Sequence, residues 1–170
     1  MKAFMTIGTL RFLRQLVKKH HSIHFYLMNN IHEMSSLAYY EAAGKSVFAA
    51  GHTYDIFLAG GQMEDQGFVV MNNIPVTNEG QPVFEDRFKQ RQGSIEKMPG
   101  FQAFRLLKPI RGNEYIILTQ WARQTDYEAW ATSDEFVTSH DNPAVKPPAY
   151  FASRPFMTSY TMADEEDEEH

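Results

Sequence analysis

The sequence contains no cysteine. Disulfide scaffolds, cysteine metal sites, cysteine nucleophiles and thiolate-ligated heme are therefore excluded. It also lacks any run of about 18 apolar residues, the length a membrane-crossing helix requires. After Met1-Lys2 the apolar stretch is short and broken by Arg11 and Arg14, which is not the form of a signal peptide. A cytoplasmic location with no membrane partner is the expectation. Basic charge is not in excess either. The net charge is −5, and the terminal A-D-E-E-D-E-E-H supplies six of the 21 acids, leaving 15 against 16 basic residues. A body so nearly neutral offers no field for nucleic acid.

What is present is core material. Of 170 residues, 43% are hydrophobic, with 13 Phe, 8 Tyr and 2 Trp. That suits one domain or two small, closely packed ones.

Apolar residues at 3, 5 and 7 predict a first strand over Met1–Gly8. Leu10, Phe12, Leu13, Leu16 and Val17 predict a helix over Thr9–Lys19. Strands are expected over Ser22–Met28 and Leu37–Ala43. Val47–Leu58 reads as a long strand or a bent hairpin arm. Gly60–Gly67 is the best linker candidate. Phe68–Val76 then reads as a strand and Pro82–Met98 as an amphipathic helix closed by Pro99-Gly100. Two strands, Phe101–Ile110 and Glu114–Trp121, flank the hairpin Arg111-Gly112-Asn113. Two capping-box patterns in series, Thr125-x-x-Glu128 and Thr132-x-x-Glu135, predict two short helices before the stop at Asp141-Asn142-Pro143. A last strand falls in Tyr150–Thr161.

The order over residues 68–161 is β-α-β-β-α-β, the ferredoxin-like arrangement. Its sheet leaves one face bare. The N-terminal β-α-β with extended segments reads as a degenerate second copy that covers this face. The fold class expected is α+β, with the two copies closing a barrel within one chain, so a monomer suffices. The boundaries are 1–66 for the degenerate half, 67–162 for the second half and 163–170 for a disordered acidic tail.

Asn72-Asn73 interrupts the strand F-V-V-M-N-N-I-P-V. Alternation sends the two amides to opposite faces, and a buried amide needs a partner. Trp130 and His140 close the two predicted short helices; alone they read as a core tryptophan and a histidine complementing a helix dipole. The acidic run lacks the glycine and spacing of a calcium loop. His20, His21 and His24 read as solvated, since the chain turns from helix to strand between them.

Taken together, these residues resemble the heme-degrading monooxygenases of the IsdG type, within the antibiotic-biosynthesis-monooxygenase domains. The match lies in F-x-x-x-N, here Phe68 to Asn72, and in W-x-x-S-D-x-F-x-x-x-H, here Trp130 to His140. Pro99-Gly100-Phe101 and the strand end Thr119-Gln120-Trp121 agree in kind. The resemblance covers about residues 68–161. In length the chain is also similar to staphylococcal signalling proteins of the TRAP type. The resemblance implies oxygen-dependent heme degradation that opens the porphyrin ring and releases iron. It implies His140 as the axial ligand of heme iron, Asn72 (or Asn73 beside it) as a distal amide donor, and Trp130 packed on the porphyrin. Heme would be both cofactor and substrate, with dioxygen as co-substrate. The chain carries no G-x-G-x-x-G fingerprint, so electrons would come from an external reductase or small reductant. Arg105, Lys108 and Arg111 are cation candidates for the propionates, against the plainer reading of an exposed face. A non-catalytic heme binder and a TRAP-like signalling protein are the alternatives.

Overall fold

A computed structural model describes residues 1–90, 94–133 and 151–167. Eight strands and three α-helices follow in the order β1 (Lys2–Gly8), α1 (Leu10–Lys19), β2 (Tyr26–Asn30), β3 (Ser36–Ala42), β4 (His52–Gly61), β5 (Phe68–Pro75), α2 (Gln81–Gln90), β6 (Phe101–Pro109), β7 (Glu114–Trp121), α3 (Gln124–Ala131) and β8 (Phe156–Met162). The strands form one closed antiparallel barrel, β1-β3-β2-β8-β5-β7-β6-β4, with β4 returning to β1. Closure removes the exposed edges that an open sheet would have to protect. The N-terminal strands β1–β4 and the C-terminal strands β5–β8 meet at two seams. One is β2 on β8 (Met28↔Met162), and the other is β4 on β6 (Tyr54↔Pro109 through Gly61↔Ala103). The expected α+β intrachain barrel is the fold observed.

Alternation builds the layers. Ala3, Met5, Met28, Tyr39, Val69, Met71, Leu118 and Tyr160 point inward and form the barrel core. The intervening residues face outward and need a cover. On the N-terminal half, α1 supplies it, with Leu13 against Phe4, Phe25 and Tyr40. Thr9 caps α1 by accepting from the Phe12 N–H at 3.2 Å, and Lys18 and Lys19 complement the dipole in its last turn. On the C-terminal half, α2 lays Phe84 on Ile74, Tyr115 and Ile117. Pro82 is second in this helix, where a missing N–H costs no helical bond. α3 lays Trp130 on Trp121, with Ile95 alongside.

Several boundaries differ from expectation. The helix expected over Pro82–Met98 is described as α2 to Gln90 and a separate 3₁₀ turn at Ile95–Lys97. No strand begins at Val47: residues 43–51 are a loop, held by the Val47 N–H on the Tyr40 hydroxyl at 2.9 Å. Gly60-Gly61 belongs to the end of β4, not to a linker. The first capping box is not used. Arg123 holds the N-cap of α3, and the Thr132 hydroxyl donates to the Glu128 and Ala129 carbonyls at the other end. The second helix start, Thr132-x-x-Glu135, runs outside the described residues.

The acidic tail is not free over its described part. Its Ala163 N–H bonds to the Leu27 carbonyl at 2.9 Å. Arg14 donates to the Asp164 and Asp167 carbonyls at 2.6 and 3.1 Å, and the Asn29 amide donates to the Asp167 carboxylate at 3.0 Å. A guanidinium satisfies two carbonyls at once here, which holds a segment that composition alone marks as solvated.

Candidate functional site

β5 separates the two candidate amides. Asn73 follows Val69 and Met71 onto the inner face, 8% exposed, and its Nδ2 donates to the Met71 and Phe156 carbonyls, each at 3.3 Å. Its amide nitrogen is spent on the fold. Asn72 points outward and is half-buried. In register it stands opposite Ile117 on β7 and Met157 on β8. Among the described residues its side chain makes no hydrogen bond.

Asn72 lies midway along an outer face with aromatic groups at both ends. Towards Phe68, the row formed by Phe68 and Trp121 carries α3. Trp130 is 3% exposed, its ring 5.4 Å from Trp121 at 32°, with Tyr127 at 6.0 Å from Trp130 and 6.3 Å from Phe68. This row is four residues from Asn72, about 13 Å at ~3.3 Å per strand residue. Trp130 therefore packs as core at one end of the face, which accords with the plainer reading of that residue. Towards Pro75, Phe84 packs edge-on to Tyr115 at 4.8 Å and to Phe151 at 6.5 Å. Burial, and then Glu85, push the Tyr115 hydroxyl above its ordinary value. Burial also raises Tyr127, whose hydroxyl donates to the Met157 sulfur at 3.6 Å.

His140 lies outside the described residues. The chain on either side of its segment is described. On one side Ser133 donates to the Trp130 carbonyl at 2.6 Å. On the other, Phe151 bridges to Val76 and the Ala152 N–H bonds to the Pro75 carbonyl at 2.9 Å. Residues 134–150, between these two points, lie outside the described residues. The helix stop expected at Asp141-Asn142-Pro143 falls in the same segment.

The propionate candidates do not come together. Arg105 points into the barrel and pairs with Glu41, Nε to Oε2 at 2.7 Å. Lys108 pairs with Glu85 at 2.9 Å. Arg111 is exposed at the hairpin tip, lining a different cavity. His24 binds Asp65 at 2.7 Å, and no group of three metal-ligating side chains occurs among the described residues. Met157, which is 55% exposed beside Asn72, escaped the sequence reading. Only the alternation of the last strand could have pointed to it. No described helix is long and apolar enough to cross a membrane.

The β-α-β-β-α-β order with its two covering helices is the ferredoxin-like arrangement, and the antibiotic biosynthesis monooxygenase family matches residues 67–142. The chain belongs to this family. It is 35% identical over 86 residues to a mycobilin-producing heme oxygenase of Mycobacterium tuberculosis, covering 50% of this chain and 81% of that protein. It is 28% identical over 132 residues to a heme-degrading monooxygenase of Listeria monocytogenes, 78% of each chain. It is also 25% identical over 160 residues to the signal transduction protein TRAP of Staphylococcus epidermidis, covering 94% and 93%. The solved structure of a major regulator of staphylococcal pathogenesis shares the fold, with a TM-score of 0.87 at 22% identity over 96% of this chain and all of that one.

Proposed function

We propose that this protein is a monooxygenase that degrades heme, with Asn72, Trp130 and His140 as its site. The observation that carries the reading is the Asn72 amide: half-buried, on the face between α2 and α3, and without a hydrogen bond among the described residues. Its neighbour Asn73 spends the same group on backbone carbonyls. A planar apolar ligand would suit this face. Aromatic side chains bound it at both ends, and Asn72 supplies one polar contact between them.

Heme, when bound, supplies the iron at which dioxygen is activated and is itself the molecule consumed. His140 would ligate the iron, as the W-x-x-S-D-x-F-x-x-x-H motif implies. Asn72 would donate a hydrogen bond from an amide that does not titrate near neutral pH. Trp130, fixed against Trp121, would set one end of the slot and limit water there. Electrons would come from an external donor, and a single chain would suffice because the barrel closes on itself. The relatives named for heme degradation support this reading.

The full-length similarity to TRAP favours one second reading, a signalling protein acting through contacts with other proteins. The test is a hemin titration of the full chain, followed by visible spectra in air with ascorbate and catalase, repeated with His140→Ala and Asn72→Ala. A Soret band that forms with His140 and decays under reductant supports the enzyme. A band that persists indicates a heme carrier. Absence of binding moves the TRAP-like reading to the front.

A further inference from the structure

A cavity of about 570 Å³ lies away from the Asn72 face, where the β6–β7 hairpin of the C-terminal half leans over β1 and β4 of the N-terminal half. The Ile110 N–H bonds to the Thr53 carbonyl at 3.2 Å and anchors the hairpin there. The loop after β3 forms the facing wall and is held by the Thr6 hydroxyl on the Ala50 carbonyl at 2.6 Å. Lys2, Lys45 and Arg111 line this cavity. Among the described residues none of the three has an ion-pair partner. Glu114 is the one carboxylate in the lining; Asp55, opposite Lys2 in register, is not part of it.

In a chain with net charge −5, this lining carries three cations against one carboxylate, without ion-pair partners among the described residues. Such an excess in a concavity favours an anionic ligand. Donors accompany the cations. The Ser46 hydroxyl accepts from the Phe48 N–H at 3.0 Å and keeps its own hydrogen to donate, and the Thr53 hydroxyl is alongside. Gly44 and Gly112, at φ +96° and +86°, form the two loop tips, and a Cβ on either would meet nothing within 4 Å. Both backbones are thus open to a ligand. The volume is far larger than one inorganic anion needs and lies in the range of small-molecule sites. Ile110, 46% exposed, adds apolar surface, and the exposed His52 ring stands in the same lining.

We propose that this cavity binds a small phosphorylated molecule with a planar ring, of the nucleotide class. Lys45 and Arg111 hold the phosphate, Arg111 as a fork and Lys45 as a point charge. The ring lies towards Ile110 and His52. This proposal stands apart from the heme reading: it uses none of the same residues.

The test is a titration of the full chain with adenosine 5′-monophosphate at about 0.15 M salt, read in ¹H–¹⁵N spectra. Inorganic phosphate and adenosine are titrated separately. The expected result is saturable shifts of the Gly44, Lys45, Gly112 and Asn113 amides. Binding of the monophosphate should be about tenfold tighter than that of either fragment, or more. The double variant Lys45→Glu/Arg111→Glu should lose it by at least about tenfold. Both side chains are exposed, so the rest of the spectrum should stay in place. Three results would each overturn the proposal: no saturable shift at these amides, inorganic phosphate binding as tightly as the nucleotide, or a double variant that binds like the parent.

Discussion

Arg105 of β6 and Glu41 of β3 meet inside the barrel, Nε to Oε2 at 2.7 Å, although β4 and β1 stand between their strands. The Tyr39 hydroxyl donates to the same oxygen at 2.6 Å, and Arg105 also donates to the Gly60 and Phe104 carbonyls at 2.9 and 2.8 Å. The guanidinium is 7% exposed and the carboxylate 21%. Arg105→Met removes one charge and strands the other, at a cost towards the lower end of ~3–5 kcal/mol because Glu41 keeps some water. Arg105→Met/Glu41→Met should recover part of that loss. Urea midpoints of the two single variants and the double variant check this; additive losses would show that the pair is not coupled.

Adjacent asparagines should behave as opposites. Asn72→Ala should change stability by less than about 0.5 kcal/mol, as for a side chain with no bond to lose. It should weaken heme turnover if the proposed function holds. Asn73→Ala should cost ~1–2 kcal/mol, since one buried and one part-buried carbonyl lose their donor. Thermal denaturation reads the first contrast and ascorbate-driven hemin decay the second. Equal losses of stability would mean that the two faces are misassigned.

Gly67 enters β5 at φ +124°, and a Cβ there would run into the Trp121 carbonyl, which is itself fixed in β7. Gly67→Ala should cost ~1–3 kcal/mol through backbone strain together with that clash. Gly44→Ala, at φ +96° with open space around it, bears only the conformational part, about 1 kcal/mol. The difference between their denaturation midpoints tests whether the loop-to-strand entry is as tight as described.

Alkaline unfolding should be steep. Burial first, then Glu114 and Tyr160, push the Tyr54 hydroxyl up to about 12, and burial likewise raises Tyr39 and Tyr160. The unfolded chain ionises its tyrosines near pH ~10. Above that value the folded state binds more protons, so stability is intact below about pH 10 and falls as pH rises towards 12. Tyr54 alone accounts for ~1.4 kcal/mol per pH unit in that window. Tyr54→Phe should flatten the slope by that amount in urea midpoints measured between about pH 8 and 11; an unchanged slope would place the titrating group elsewhere.

Local pattern carried much of the reading. Alternation located β1, apolar runs between turn signals located β5, β6 and β7, and alternation assigned Asn72 and Asn73 to opposite faces, because side-chain direction in a strand depends only on position. The W-x-x-S-D-x-F-x-x-x-H spacing named Trp130 and His140 as candidates together, although His140 lies outside the described residues. Arg105 was misread for an equally local reason: F-Q-A-F-R-L-L-K-P places an arginine where either face is open to it. Its carboxylate partner is 64 positions away.

The sequence by itself determined the elements, the faces within each strand and the family likeness, since these rest on neighbours a few residues apart. Only the tertiary structure decided which strands close the barrel and where Arg105 finds its partner. It also decided that Lys2, Lys45 and Arg111 share one cavity while Arg105 and Lys108 leave that group. Such pairings join residues distant in the chain, and burial of both sheet faces selects them by removing every edge at once.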